Sequence, residues 1–447
     1  MRHQVVPFFY FMNMKEFEMI AKTFKGLEEV LVQELLALGA NNVEMGRRAV
    51  RFTGDKALMY RANLSLRTAS RILKPIATFR AKNADEVYEH VKDIAWEEYL
   101  GLDDTFAIDA TVYSETFRHS GYVTYRVKDG IADRFMEREG KRPSVKVTNP
   151  DIYINVHVAN ETVTVSLDSS GESLHKRGWR EATTEAPINE ALAAGMLLMA
   201  GWDGSKDLYD PMCGSGTFLI EAAMIALNIA PGIYRKSFAF EHWRDFDKEM
   251  FDTLYNDDSE ERPFEHHIYG ADASFYCVRA SEKNVKRAGM SKYISVRQCR
   301  IQDLQPEMQS GFVIMNPPYG ERLTTKQNTD LMTLYAEIGK ALKFRFSGST
   351  AWLISSNEEA LKNIGLRPSK KIHLLNGELE CLFCKYELFA GTQKEFKAER
   401  GKTFKSERGS RDEAKGKKGS PSKGSVDRQS RVSRSRVRKR RDESVAD

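Results

Sequence analysis

Cysteine is scarce in this sequence: five in 447 residues, too few to staple a chain of this length into a disulfide framework. Long apolar runs are lacking as well. Nothing approaches the roughly 20 apolar residues needed to cross a bilayer. The apolar stretch 5–12 contains Pro7 and meets no small-residue cleavage site before Lys15 and Glu16, so neither membrane association nor a secretory leader is expected. These absences point to a cytoplasmic, reducing setting, with Met14 as an alternative start to Met1. Metal-ligand patterns are missing too. The nine histidines form no ligand-like cluster, and Cys381 and Cys384 make a lone C-x-x-C inside an apolar run. Two buried strand thiols fit that pattern better than a zinc site, and no metal is expected.

Excess positive charge is absent from most of the chain. From Lys394 to Asp447 there are 19 Lys/Arg against 9 Asp/Glu, a net of +10, which leaves the other 393 residues at −5 of the overall +5. That tail is rich in Lys, Arg, Ser and Gly and nearly free of large apolar residues, so it is expected to be disordered. Its cationic run 431–441 would attract RNA phosphate by counterion release, without sequence preference; the plainer reading is a solvated tail with no target.

What is present divides into two patterns. Up to about residue 170 the chain reads as α+β. Leu27, Val30, Leu31, Leu35, Leu36 and Leu38 recur at helical spacing, and Gly39 is a natural stop. Ile152, Ile154, Val156 and Val158 alternate, as do Val163, Val165 and Leu167, across Asn160-Glu161; this is a β-hairpin with one buried face. A helix is expected around 127–138. From Pro187 strands at 206–210, 267–271, 294–298, 312–315, 350–355 and 380–388 alternate with helices that include 218–228, 277–288 and 331–344. Such alternation means an open, mostly parallel sheet with helices on both faces. Between the halves lies Lys176-Arg177-Gly178-Trp179-Arg180, which either touches RNA or packs Trp179 between domains. Segment 232–266, with Phe238, Phe240 and Trp243, is an insertion whose aromatics are either local core or part of a substrate pocket.

A glycine loop, Asp210-Pro211-Met212-Cys213-Gly214-Ser215-Gly216-Thr217, follows a predicted strand and opens a helix. Glycine lets the backbone turn sharply and lets a ligand approach where a Cβ would stand. The third glycine of a dinucleotide fingerprint is missing, since position 219 is Leu219, and this loop carries no Gly-Lys-Ser/Thr. An acidic, phosphate-free loop suits S-adenosylmethionine, which carries a sulfonium and an ammonium group. Asp210, Cys213, Gly214 and Gly216 are the loop candidates. Asp272, ending the next strand, is placed for the ribose hydroxyls and Asp303, after strand 294–298, for the adenine amine. All three carboxylates fall at carboxyl ends of predicted parallel strands, where open α/β sheets bind ligands.

Strand 312–315 ends in Asn316-Pro317-Pro318-Tyr319. Two prolines fix the backbone and leave carbonyls without local amide partners. An exocyclic base nitrogen is a poor nucleophile because its lone pair is delocalised. The Asn316 oxygen and the Pro317 carbonyl can each accept one N–H, holding the amine towards a methyl donor and offsetting developing positive charge. Tyr319 can stack on the base, a contact worth about 1–3 kcal/mol.

With these residues in view, the chain resembles the RlmL family of ribosomal-RNA guanine-N2 methyltransferases. The likeness runs through DPMCGSGT followed by LIEAAM, then GADAS, then NPPYGERL, with TFKGLEEVL, LDSSG and HKRGWR ahead of them. It implies an α/β class I methyltransferase domain, Rossmann-like, with a seven-stranded, mostly parallel sheet whose seventh strand, at the carboxyl end, is antiparallel. An α+β ferredoxin-like plus THUMP RNA-binding module precedes it. The implied layout is an extension (1–13), a ferredoxin-like region (14–56), a THUMP domain (57–168), a linker (169–187), the methyltransferase domain (188–393) and the basic tail (394–447). The resemblance further implies S-adenosylmethionine as cofactor and RNA as partner, 23S ribosomal RNA before tRNA, with the chain acting as a monomer. Some family members carry a second methyltransferase domain; about 55 low-complexity residues stand there in this sequence. Alternatives are the same chemistry on tRNA guanine, adenine-N6 methylation, glutamine methylation of protein, and a catalytically silent RNA-binding assembly factor.

Overall fold

The computed structural model describes residues 15–389 apart from 116, 118–119, 184–186 and 321–324, so the extension 1–13 and the basic tail lie outside the described residues. The N-terminal half runs β1 (Phe17–Thr23), α1 (Glu28–Ala37), β2 (Asn41–Gly46), β3 (Ala49–Gly54), α2 (Lys56–Ser65), β4 (Ala69–Arg80), α3 (Ala84–Asp93), β5 (Thr105–Tyr113), α4 (Ser120–Glu139), β6 (Ser144–Val145), β7 (Ile152–Ala159) and β8 (Thr162–Asp168). Its eight strands form one sheet, β2-β3-β1-β4-β8-β7-β5-β6. β4 is the seam, antiparallel to β1 on one side and to β8 on the other. The expected hairpin is β7 and β8, with Ile154 opposite Leu167 and Val158 opposite Val163. Asn160 turns it at φ 54°, a left-handed conformation that asparagine tolerates. The helix expected at 127–138 starts earlier, at Ser120.

The second half runs α5 (Glu190–Met199), β9 (Leu208–Asp210), α6 (Thr217–Leu227), α7 (Lys248–Tyr255), β10 (Ile268–Asp272), α8 (Phe275–Arg287), β11 (Ile294–Gln298), β12 (Phe312–Met315), α9 (Thr325–Arg345), β13 (Thr350–Ser355), α10 (Glu358–Asn363), β14 (Lys370–Asn376) and β15 (Leu379–Glu387). The sheet order is β11-β10-β9-β12-β13-β15-β14. Only β15 runs against its neighbours, and it is inserted between β13 and β14 rather than added at the edge. β14 carried no period-2 signal and was not expected. β9 is shorter than expected, three residues rather than five, because residues 206 and 207 lead into the strand without joining it. β12 is buried throughout, as a parallel strand covered on both faces must be, and so is every residue of α6. Cys381 and Cys384 are buried thiols, as expected, and they face opposite sides of β15: one joins the core beneath the sheet, the other the core above it. An odd spacing on a strand dictates that, and it keeps the two from ligating one ion.

The halves interlock. Leu27 caps α1 and does not belong to it; its side chain enters the catalytic core, where Gly195 makes room, since a Cβ there would stand 2.6 Å from Leu27 Cδ2. Burying a leucine in this way contributes about 1.5–3 kcal/mol. In the other direction, Phe238, Phe240, Trp243 and Phe251 of the insertion join the N-terminal core. Phe240 stacks on Tyr60 of α2 with ring centres 4.5 Å apart. The insertion's aromatics are therefore core, and the core they complete is the neighbouring half's.

Trp179 is fully buried, so the linker packs between the halves. Beside it Arg177 and Glu221 form an ion pair at 3.2 Å, both side chains withdrawn from solvent, and Arg177 also donates to the carbonyls of Leu174 and Arg67. Removing one partner of such a pair leaves an uncompensated buried charge. Glu221→Ala is expected to cost about 3–5 kcal/mol, read as a lower denaturation midpoint; a native-like midpoint would show that the pair carries no weight.

Candidate active site

The strand order reverses at β9: β10 and β11 lie to one side of it, β12 and β13 to the other. Ligands bind open α/β sheets in the crevice beyond the carboxyl ends at such a switch point. Asp210 ends β9, Asp272 ends β10, and Asn316 follows β12.

The glycine loop fills one side of this crevice. Gly214 has φ +53° and Gly216 φ +84°, both left-handed, where glycine is favoured. A Cβ on Gly216 would strike Ser281 Oγ, whereas one on Gly214 would meet open space. The loop is tied to β10 by the Cys213 amide, which donates to the Ala271 carbonyl at 2.9 Å, and by the Gly214 amide, which donates to Asp272 Oδ2 at 3.0 Å. Asp272 Oδ1 accepts from the Ser274 amide at 2.8 Å. Asp210, 1 % exposed, accepts from the Met212 amide at 3.1 Å. Burial, and then the nearby Asp272 charge, push the Asp210 carboxyl well above the usual carboxylate range. Cys213 packs into the core under the loop, and burial raises its thiol as well. The structure thus brings Asp210, Cys213, Gly214, Gly216 and Asp272 together. Asp303 is exposed in the turn after β11, its amide on the Arg300 carbonyl.

Asn316, Pro317, Pro318 and Tyr319 form the other wall. The Tyr319 hydroxyl donates to Asn316 Oδ1 and accepts from Asn376 Nδ2 at 3.3 Å. The Tyr319 carbonyl accepts from Asn357 Nδ2 at 3.2 Å, and the Pro318 carbonyl from the Tyr335 hydroxyl at 3.1 Å. Tyr335 in turn accepts from Ser355 Oγ at 2.8 Å. Side chains from α9, the end of β13 and the end of β14 thus hold the tetrapeptide. An amide oxygen has two lone pairs, so Asn316 Oδ1 keeps one acceptor position beyond the Tyr319 hydroxyl. Burial pushes the Tyr319 phenol far up, so it stays protonated at neutral pH.

Two supporting residues, Asn284 and Asn376, escaped sequence reasoning, and a third, Arg180, was read only as part of a linker that touches RNA or packs between domains. Arg180 bonds Ser215, Thr217 and Glu190, and Asn284 bonds the loop and the linker together. Asn376 reaches the catalytic tyrosine from a strand that was not foreseen. The residues fit S-adenosylmethionine: a desolvated carboxylate, held by a backbone amide, for positive charge, open space above Gly214, and a second carboxylate at the end of the next strand. Among the described residues no group of His, Cys, Asp and Glu could hold a metal ion, and no helix is long and apolar enough to cross a membrane.

Comparison with known proteins agrees with this geometry. Residues 177–385 match the family described as RMKL-like, methyltransferase domain; residues 81–168 match the THUMP domain and residues 18–73 the RlmL ferredoxin-like domain. A Synechocystis protein whose name carries a provisional RNA-methyltransferase assignment is 40% identical over 371 residues, covering 83% of this chain and 96% of that one. The "Ribosomal RNA large subunit methyltransferase K/L" of Syntrophotalea carbinolica is 40% identical over 376 residues, covering 81% of this chain and 52% of its own. The chain therefore spans about half the length of its K/L relatives. A solved structure, SMU.472, described as a provisional methyltransferase complexed with SAH (S-adenosylhomocysteine), superposes with a TM-score of 0.75 at 30% identity, covering 85% of this chain and 100% of that one. The chain belongs to the RMKL-like family of S-adenosylmethionine-dependent RNA methyltransferases, with the ferredoxin-like and THUMP domains of that family ahead of its catalytic domain.

Proposed function

We propose that this chain forms N2-methylguanosine in large-subunit ribosomal RNA, with Asn316, Pro317, Pro318 and Tyr319 as its catalytic centre. The observation that carries the reading is the meeting of that tetrapeptide and the glycine loop at one switch point, on strands β12 and β9 that are hydrogen-bonded neighbours. Asp210, Cys213, Gly214, Gly216 and Asp272 hold S-adenosylmethionine, and exposed Asp303 receives the adenine amine. The bound cofactor supplies an electrophilic methyl group. Asn316 Oδ1 and the Pro317 carbonyl accept the two N–H bonds of the guanine amine, aim its lone pair and offset the charge that develops on nitrogen. As the N–CH3 bond forms, the S–CH3 bond of the sulfonium would break to leave a neutral thioether. The cationic amine would then be acidic enough to lose its extra proton to water, so no strong base is required and the neutral Tyr319 phenol would not supply one. The guanine must leave its stack to reach this crevice.

The ribosomal target is supported by the names of the K/L relatives and by the THUMP domain, and we take the chain to act as a cytoplasmic monomer. The test is mass mapping of modified nucleosides in ribosomal and transfer RNA from a strain lacking this chain. One N2-methylguanosine of large-subunit RNA is expected to disappear. Loss of an N6-methyladenosine with every N2-methylguanosine retained would overturn the guanine assignment, and loss confined to tRNA would overturn the ribosomal one.

A further inference from the structure

The linker does more than join two halves: its residues 180–182 form a strap fastened to the glycine loop. Arg180 is its centre. Nε donates to Glu190 Oε1 at 2.7 Å, Nη1 to Ser215 Oγ at 2.8 Å and Nη2 to Thr217 Oγ1 at 2.9 Å. The guanidinium lies 4.9 Å from the ring centre of buried Trp179. Two residues on, Asn284 of α8 fastens the strap again. Its Oδ1 accepts from the amides of Glu181 and Ala182, while its Nδ2 donates to the carbonyls of Ala182 and Ser215 at 2.8 and 2.9 Å. Asn284 is fully buried and all four of its bonding positions are used.

These contacts fall on the residues flanking Gly216. Left-handed glycines give a loop its shape and also its freedom, so a ligand that needs one shape must meet the cost of ordering it. A planar fork that fixes the hydroxyls on both sides of Gly216 removes that freedom beforehand, which strengthens binding without touching the ligand. We propose that Arg180 is a positioning residue for S-adenosylmethionine, acting through Ser215 and Thr217. This rests on the reading of the loop as the cofactor site.

The test is calorimetric titration of S-adenosylmethionine into the full chain and into Arg180→Met, Arg180→Lys, Ser215→Ala/Thr217→Val and Arg180→Met combined with that pair. Arg180→Met is expected to weaken binding about tenfold or more, the scale of one or two lost charge-assisted hydrogen bonds. Lysine is expected not to rescue it, because its three N–H donors radiate from one nitrogen, whereas the three acceptors here are met by three different nitrogens of a planar fork. The hydroxyl pair should show a comparable loss, and the combined variant no further loss, since each removes the same interaction. In turnover the KM for S-adenosylmethionine should rise while kcat at saturation stays near native. Unchanged affinity in Arg180→Met, full rescue by lysine, or losses that simply add would each overturn the proposal. Asp210→Ala separates the two readings: if it too binds normally, the loop assignment falls; if it alone loses binding, only the strap does. Should Arg180→Met fail to fold, the hydroxyl pair carries the test.

Discussion

Asp210→Asn is expected to melt above the native chain and to lose most of its affinity for S-adenosylmethionine. Asp210 is buried with one backbone donor and lies close to a second carboxylate, so its folded-state pKa is raised. A carboxyl whose pKa is higher folded than unfolded binds its proton more tightly in the folded state. Its contribution is fully present below the unfolded value of about 3.9 and is lost as pH rises from there through the raised folded value. At neutral pH the aspartate therefore strains the fold, and asparagine, which can still accept from the Met212 amide, does not. Relief of about 1–3 kcal/mol is expected, the scale for a buried polar group short of partners. The same carboxylate is the group that a sulfonium or ammonium would favour, so affinity should fall at least tenfold when it is neutralised. Binding should also strengthen with rising pH until the raised pKa is passed, and should release a proton below it. Scanning calorimetry with and without ligand, and titration in buffers of different ionisation enthalpy, measure all three. A variant that melts lower and binds normally would sink the account.

Asn316→Ala should lower kcat by about 10²–10³, the usual loss when one polar group aimed at developing charge is removed. Affinities for S-adenosylmethionine and for RNA should stay near native, because Asn316 bonds Tyr319 within its own tetrapeptide and nothing in the glycine loop. Single-turnover methylation with preloaded cofactor isolates the step. Turnover within a factor of a few of native would mean that the Pro317 carbonyl alone holds the amine, or that the tetrapeptide is not the site.

Much of this was legible in the sequence because the signals are local. The period-2 runs of Ile152 to Leu167 gave a hairpin with the right facing residues, and the parallel strands 294–298, 312–315 and 350–355, the last two buried, came out with their observed bounds. The glycine loop and the tetrapeptide could be placed because backbone demands select glycine and proline visibly. Asn284, Asn376 and Arg180 could not. Asn284 and Asn376 are single polar residues without a pattern, Arg180 showed only as one cation of the linker motif, and the importance of each lies in partners 69, 57 and 35 residues away. The position of β15 between β13 and β14 is a pairing between strands, which no window of sequence contains. Trp179 left two readings open for the same reason: a tryptophan beside arginines suits RNA or an interface equally until the other side is known.

The aromatic residues lent by the insertion bear on how the chain is made. Domains generally fold as units, the N-terminal one first during synthesis. Here the first core includes Phe238, Phe240, Trp243 and Phe251, so it cannot close until residue 251 has left the ribosome, by which time β9 and α6 of the second half have already emerged. Until then Tyr60 presents a bare aromatic face. A fragment cut at the linker would keep that face indefinitely and would be prone to aggregate. The two halves match different domain models, yet they share one core and mature together, so neither can be exchanged for a relative's without carrying part of the other.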